Sequence, residues 1–333
     1  MYCVNLKGSY YEMGLYQGQL LKQAGFTLPA PEEKMVKFAR QCEAVVGQYM
    51  PELVEEIHGV AEGAGIDYDT VMTLTMTAPF DPEEVPGCSI VAVMPEKTVD
   101  RQMIVGRNFD MFEDVSKEGA TTFCTYPEGG YASVGNCDIW VGRWDGLNEA
   151  GLFTGSTSIH LPGPRPVLPG PVGWFTGRYV LDNCATAEEA LKFFKLLPRT
   201  GSGGRLIADS SGHAVVVEAG VEGYEIRYPE DGLLVVTNHA VSQRFSGKEP
   251  FVPESSRPRY NRIRTLLGRC TSINVEDVKS ALSDHKGSVC AHEKDPSGRI
   301  MATIWSVVAR PGDRQVKIAE GSPCKTEYRT VHF

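Results

Sequence analysis

Val85-Pro86-Gly87-Cys88-Ser89-Ile90-Val91-Ala92-Val93-Met94 is the stretch on which the fold turns. A cysteine directly after a flexible glycine opens an apolar, strand-like run. If the Gly87–Cys88 bond breaks, Cys88 becomes a new N-terminus and carries a thiol and a free α-amine on one residue. An α-amine has an ordinary pKa of about 8, so it can serve as the general base that a thiol nucleophile needs. The bland alternative is that Cys88 is another buried free thiol at a strand start.

The chain changes texture at this junction. Phe80-Asp81-Pro82-Glu83-Glu84-Val85-Pro86-Gly87 is acidic and proline-rich and reads as an exposed linker ending at the candidate cleavage bond. Upstream the pattern is mainly helical. Ser9 precedes one helical stretch, in which Gly14 and Gly18 lie on one face and suit close packing. Two amphipathic runs follow, Glu32 to Tyr49 and Pro51 to Gly65, with Val54, Ile57, Val60 and Ala61 at helical spacing. Gly63-Ala64-Gly65-Ile66-Asp67 ends the second, and Asp69 is the expected N-cap of the next helix.

Downstream, short apolar runs bounded by turn residues predict strands at 103–107, 152–155, 205–208, 214–218, 233–237, 302–308 and 315–319. Ser211-Gly212-His213 and Asp231-Gly232 read as turns. Thr186, with Glu189 three residues on, is a capping box for a helix through Phe194. Further helices are expected over Ser255 to Leu267 and Val275 to Leu282. Grouped strands followed by grouped helices point to a layered α+β domain. The division expected is a helical prosegment, 1–87, and a catalytic domain, 88–333. Pro162 to Pro171 is a stiff loop suited to roofing a pocket.

At 333 residues and a formal net charge of −9, the chain has ample length for a core and does not suit nucleic acid or an anionic membrane. It contains no apolar run of membrane-spanning length. Met1-Tyr2-Cys3-Val4-Asn5-Leu6-Lys7 lacks a secretory pattern, which gives a cytoplasmic expectation. The nine cysteines are scattered without a C-x-x-C pair. That spacing argues against structural zinc and against a disulfide framework.

Gly87-Cys88-Ser89, Gly106-Arg107-Asn108-Phe109-Asp110, Gly146-Leu147-Asn148-Glu149-Ala150-Gly151-Leu152 and Val236-Thr237-Asn238-His239 occur in one order along the chain. With Tyr11-Glu12-Met13-Gly14 and Leu53 to Gly63, they resemble the acyl-coenzyme A:6-aminopenicillanic acid acyltransferase (isopenicillin-N acyltransferase) family. That family is related to choloylglycine hydrolases and penicillin V acylases among the N-terminal nucleophile hydrolases. The resemblance implies a four-layer αββα sandwich, self-cleavage between Gly87 and Cys88, and Cys88 as nucleophile. It further implies that Asp110 orients the freed amine and that Arg107 sits near the thiolate, where a cation lowers a thiol pKa. Asn238 would be an oxyanion-hole side chain, and Asn148 a polar support near the amine. Where the acyltransferase has Ser-Arg-Gly-Ala-Thr, this chain has Ser297-Gly298-Arg299-Ile300-Met301-Ala302-Thr303. Arg299 is the candidate for the equivalent charge and the weakest of the carried-over residues, and the shifted register puts the acyltransferase's own substrate in doubt.

The chemistry expected is hydrolysis or transfer of the acyl group of a small N-acyl amide, without metal or organic cofactor. The expected partners are that small molecule, an amine acceptor and the cleaved prosegment, with a homo-oligomer open. Two rivals stand beside it: an uncleaved, non-catalytic ligand-binding protein on the same scaffold, and a Cys-His thiol hydrolase using His160 or His239. Asn238 and His239 are adjacent on a strand end, so their side chains point to opposite faces, which favours a structural role for His239. Trp140, Trp144 and Trp174 suit an acyl pocket or core packing equally. Arg257, Arg259, Arg262 and Arg264 read as a solvated helix face, with binding of a phosphate or carboxylate as the minority reading.

Overall fold

A computed structural model describes residues 3–77, 87–116, 119–163, 168–294 and 297–333. The expected linker therefore lies outside the described residues, apart from Gly87. The chain opens with a short strand, β1 (Cys3–Gly8). Ser9 and Glu12 form a capping box that starts α1 (Tyr10–Gln23). Next come α2 (Glu33–Tyr49) and α3 (Pro51–Ala64), the latter with proline in its first turn and Gly65 as a left-handed C-cap at φ 68°. The fourth helix, α4 (Tyr68–Thr77), is capped by Asp67, whose carboxylate accepts from the Thr70 N–H at 3.1 Å. The expected cap, Asp69, pairs instead with Arg40. Helices α1 and α3 meet backbone to backbone: a Cβ at Gly14 would stand 2.1 Å from the Glu56 carbonyl oxygen.

Beyond the junction lie β2 (Gly87–Val93), β3 (Ile104–Phe112), a short α5 (Glu113–Ser116), β4 (Thr121–Pro127), β5 (Ser133–Cys137), β6 (Asp145–Asn148) and β7 (Phe153–Thr157). Two helices follow, α6 (Gly173–Asn183) and α7 (Ala187–Leu196), the second opened by the expected Thr186–Glu189 capping box. The hairpins β8 (Gly203–Ala208), β9 (Ala214–Gly220) and β10 (Gly223–Arg227) lead to β11 (Leu233–Val236). The remainder is α8 (Ser256–Gly268), α9 (Val275–Leu282), β12 (His292–Lys294), β13 (Ile300–Arg310), β14 (Gln315–Ala319) and β15 (Arg329–Val331).

The strands form two sheets. One has the order β1-β4-β5-β6-β7-β8-β9-β10; the other runs β11-β2-β3-β13-β14-β15, with β12 on β13. Every pairing is antiparallel except β1 with β4. Three apolar clusters mark the seams between layers. Helices α1–α4, α6 and α7 cover the outer face of the first sheet through Met13, Ile57, Met72 and Phe175 against Phe123, Ile207 and Val217. Ile90, Phe109 and Trp305 meet Leu147, Phe153 and Leu206 between the sheets. Helices α8 and α9 cover the second sheet through Ile263, Val278 and Leu282 against Val91, Val93 and Val235. The protein is thus the αββα sandwich that its motifs implied.

The period of two along β2 places the site. Cys88, Ile90 and Ala92 face the inter-sheet seam, whereas Val91 and Val93 face the outer helices. The N-terminal segment is woven into this frame, since β1 is an edge strand of the first sheet and α1–α4 form part of its outer layer. None of the described helices is long and apolar enough to cross a membrane.

Candidate active site

Cys88 lies on an interior strand, next to the edge strand β11, and is enclosed, with Gly87 opposite Asp110, Cys88 opposite Phe109 and Ser89 opposite Asn108. Because alternate residues of β3 share a face, Arg107 joins Cys88 on the inter-sheet side, and its Nη2 lies 3.9 Å from Sγ. The guanidinium is itself enclosed and held in place. Its Nε pairs with Asp145 at 2.5 Å, and Nη1 donates to the Ser156 carbonyl at 2.6 Å. Asp145 is fixed in turn by the Trp305 indole N–H at 2.8 Å and the Asn136 amide at 2.7 Å. Burial pushes the Cys88 thiol up to about 11; Arg107 and Arg259 pull it down while Asp110 and Asp145 oppose them. Burial wins, so the resting thiol is neutral and needs a base before it can attack.

The other side of Cys88 faces Asn238 and Arg259. Cys88 N–H donates to Asn238 Oδ1 at 2.8 Å, and Arg259 Nη2 donates to the same oxygen at 2.7 Å. A guanidinium has no acceptor, so this pair fixes which way the Asn238 amide points. Its Nδ2 donates to the Ser158 carbonyl at 3.0 Å. Arg259 Nη1 also donates to the Cys88 carbonyl and to Ser89 Oγ, the latter at 3.0 Å. One cation therefore grips Cys88, Ser89 and Asn238 together.

Asp110 packs against the glycine of the junction: a Cβ built on Gly87 would lie 3.0 Å from Oδ2. A bulge between Thr303 and Trp305 aims Thr303 at Asp110, and its hydroxyl donates to Oδ1 at 2.6 Å. Oδ2 is buried without a hydrogen-bond partner. Burial raises the Asp110 carboxyl to about 6, with Arg259 and the Thr303 hydroxyl opposing it. An unfolded aspartate titrates at about 3.9. Between those values the folded chain holds a proton that the unfolded chain has lost, so the contribution of Asp110 to stability is fully present below about pH 4 and is lost as pH rises through about 6. In an uncut Cys88→Ala background this decline should be on the order of 2–3 kcal/mol. Urea unfolding at several pH values should show the added Asp110→Asn substitution removing it; an unchanged pH slope would mean that Asp110 does not titrate there.

Not every expected residue is brought to Cys88. Asn148 Nδ2 donates to the carbonyls of Leu181 and Cys184 at 2.8 and 2.7 Å, and its Oδ1 accepts from Leu152 N–H at 2.8 Å. It ties the β6 turn to the end of α6. Arg299 lies over the Phe112 ring at 4.0 Å and pairs with Asp114 at 3.0 Å, beyond the Asp110 end of the β3–β13 ladder. His239 Nδ1 contacts Ser256 Oγ at 2.8 Å, and burial lowers its pKa to about 4. Ser256 Oγ accepts from Asn238 N–H, so His239 buttresses the site through a hydroxyl.

The arginine row departs most from the sequence expectation. Arg257, Arg262 and Arg264 do pair with Glu249, Asp284 and the Glu230–Asp231 turn, but Arg259 is enclosed at the centre of the site. A signal was present: Arg259, Ile263 and Leu267 recur four apart on the buried face of α8. A charge on an apolar face is either misplaced or has a built partner.

A cavity of about 490 Å³ abuts the segment 156–158 whose carbonyls hold Arg107 and Asn238. Trp144, Trp174 and Phe194 give it apolar walls, and Phe38 and Met76 from α2 and α4 close one side. Leu168, Gly170 and Pro171 of the proline-rich loop also line it; residues 164–167 of that loop lie outside the described residues. Trp140 is elsewhere, edge-on to Phe26 at 5.1 Å.

A family model described as acyl-coenzyme A:6-aminopenicillanic acid acyl-transferase matches residues 96–325, which include Arg107, Asp110, Asn238 and Arg259. A curated relative, an uncharacterised protein of Archaeoglobus fulgidus, is 25% identical over 344 residues, covering 84% of this chain; the chain spans 57% of that relative's length. Among solved structures, penicillin V acylase from Agrobacterium tumefaciens has a TM-score of 0.50 at 18% identity, over 74% of this chain and 86% of that one. An N-acylethanolamine-hydrolyzing acid amidase ortholog of Caenorhabditis elegans has a TM-score of 0.47 at 17% identity, over 68% and 93% of the two chains. At such identities the likeness to penicillin V acylase speaks to fold alone.

Proposed function

The chain belongs to the acyl-coenzyme A:6-aminopenicillanic acid acyltransferase family, and from that premise we propose a self-processing amidohydrolase or acyltransferase with Cys88 as nucleophile. The observation that carries this is the convergence on one Gly-Cys junction: Arg107 on the thiol, Asn238 and Arg259 on the amide, and Asp110 on the glycine.

In processing, Cys88 Sγ attacks the Gly87 carbonyl carbon. The Gly87–Cys88 C–N bond breaks, the thiol proton passes to the departing nitrogen, and a thioester forms between Gly87 and the Cys88 sulfur. Water then hydrolyses the thioester, leaving a Gly87 carboxylate and a Cys88 that bears free amine and thiol. Asn238 Oδ1, which accepts from the Cys88 N–H in the uncut chain, is placed to orient that amine. The unpartnered Oδ2 of Asp110 is the carboxylate that a new ammonium would meet.

In turnover, the amine takes the thiol proton and the thiolate attacks the acyl carbon of a bound N-acyl amide. Proton return to the leaving amine releases it and leaves an acyl-enzyme thioester. Water or a second amine then takes the acyl group. The aromatic cavity suits an apolar acyl chain. Because Phe38 and Met76 wall that cavity and β1 is paired with β4, fragment 1–87 would remain in place after cleavage.

Intact mass of freshly purified protein, measured under denaturing conditions, tests the first step. The expected result is two species that sum to the full chain plus one water, with the break at Gly87–Cys88, that nevertheless co-elute as one particle under native conditions. A single uncut mass that persists for days would overturn self-processing.

A further inference from the structure

Four side chains that the chemistry at Cys88 does not use converge beside β13 on the second sheet. Cys290 and His292 flank Ala291 at the start of β12, His285 opens the preceding turn, and Cys324 lies in the turn between β14 and β15. Their ligand atoms all lie within 4.8 Å of one another. His292 Nε2 is 3.4 Å from Cys290 Sγ and 3.1 Å from Cys324 Sγ, and the His285 ring stands edge-on to that of His292 at 5.1 Å.

We propose that His285, Cys290, His292 and Cys324 form a structural zinc site. Tetrahedral zinc with bonds of about 2.3 Å to sulfur and 2.0–2.1 Å to nitrogen sets ligand–ligand separations of roughly 3.3–3.8 Å. The His292–Cys290 and His292–Cys324 separations already fall near that range, and the others, all within 4.8 Å, need only a modest contraction. Two thiolates and two neutral imidazoles around a divalent ion make a neutral site, with both thiol protons released on binding. Mixed nitrogen and sulfur donors in this number suit zinc and leave no position for substrate. Cys290 is buried whereas His285 and His292 are exposed, which gives the ion a route in.

The site would add a direct link between β12 and the β14–β15 turn, which the sheet otherwise connects only through β13 and β14. β15 is a three-residue edge strand, and the turn carrying Cys324 reaches the sheet through Ser322 Oγ, which donates to the Thr303 carbonyl at 3.2 Å. Ala291 N–H donates to Thr303 Oγ1 at 3.0 Å, and Thr303 N–H donates back to the Ala291 carbonyl at 3.3 Å. The ion would therefore brace, from both sides, the threonine that holds Asp110. Its binding is a property of four side chains and does not depend on the catalytic reading.

The competing chemistry at the same place is a Cys290–Cys324 disulfide. Metal analysis of the full chain, purified under reductant and reconstituted with zinc chloride, should give about one zinc per chain. Cobalt(II) in its place should show thiolate charge-transfer bands and the visible absorption of a tetrahedral ion. Cys324→Ser and His292→Ala should abolish both signals while far-UV circular dichroism stays unchanged, since both residues are at least partly exposed. A chelator should lower the Tm of the parent chain and not that of either variant. Absence of bound metal after reconstitution, retention of stoichiometric zinc in the Cys290→Ser/Cys324→Ser double variant, or an oxidised Cys290–Cys324 pair that forms in preference to the metal complex under reductant would each overturn the proposal.

Discussion

Cys88→Ala is expected to give a single uncut chain and to reduce turnover of an N-acyl amide by about 10⁴-fold or more, as loss of a covalent nucleophile does elsewhere. Two separate functions disappear with one sulfur atom. The alanine cannot attack the Gly87 carbonyl, so no amine is freed, and it could not attack substrate if one were. Stability should change little, because the substitution removes one sulfur atom, leaves only a small void and costs a single long contact to Arg107 Nη2. Cys88→Ser separates the two functions: a hydroxyl is a weaker nucleophile, so slow cleavage with little turnover is the expected outcome. Intact mass over several days follows cleavage, and release of a chromogenic amine follows turnover. Parent-level amidase activity in a folded Cys88→Ala chain would place the nucleophile elsewhere.

Arg259→Met should be the next most damaging change, although nothing in the substitution touches the thiol. The arginine fixes the Asn238 amide through Oδ1 and grips the Cys88 carbonyl and Ser89 Oγ. Without it the Asn238 oxygen loses a charged donor, and the amide is held less firmly against the Cys88 N–H. Processing is expected to slow by about 10²–10³-fold, the usual cost of losing an aligned polar group at a reacting centre. A second signature follows from charge. Arg259 holds the Asp110 carboxyl down against burial, so its removal should move the Asp110-linked step in stability to higher pH. Arg259→Lys should keep the charge and the Asp110 step but lose the fork that reaches three partners. A purely structural role would lower stability without moving that step.

The N-terminal helices and the layered class were readable because they rest on local signals. Ser9 with Glu12, Thr186 with Glu189, Pro51 and Gly65 each act within a turn or two of where they stand. The strands β4 to β6 were not readable, since their buried positions carry Thr122, Thr125, Ser133, Asn136 and Asp145, and the partners of Thr122, Thr125, Asn136 and Asp145 come from other strands and loops. β1 was missed for a similar reason: across 4–8 of this edge strand Leu6 is the one fully buried apolar side chain, which leaves almost no period to detect.

Cys88, Arg107, Asp110 and Asn238 stood out as a sequence because a Gly-Cys junction followed by ordered motifs has few chemical meanings. Asn148 stood out equally, yet its amide serves three backbone groups of a turn and a helix end. Arg259 was hidden among solvated arginines, and the Cys290–His292–Cys324–His285 cluster was hidden by spacings that match no local zinc motif. By itself the sequence singled out the residue that, on the proposed cleavage, would carry both thiol and amine, because that follows from covalent adjacency to Gly87. Only the tertiary structure decided which charges, amides and thiols surround it or gather elsewhere, because those encounters join β2, α8, β13 and the C-terminal turn across long stretches of chain, where contact depends on how the layers pack.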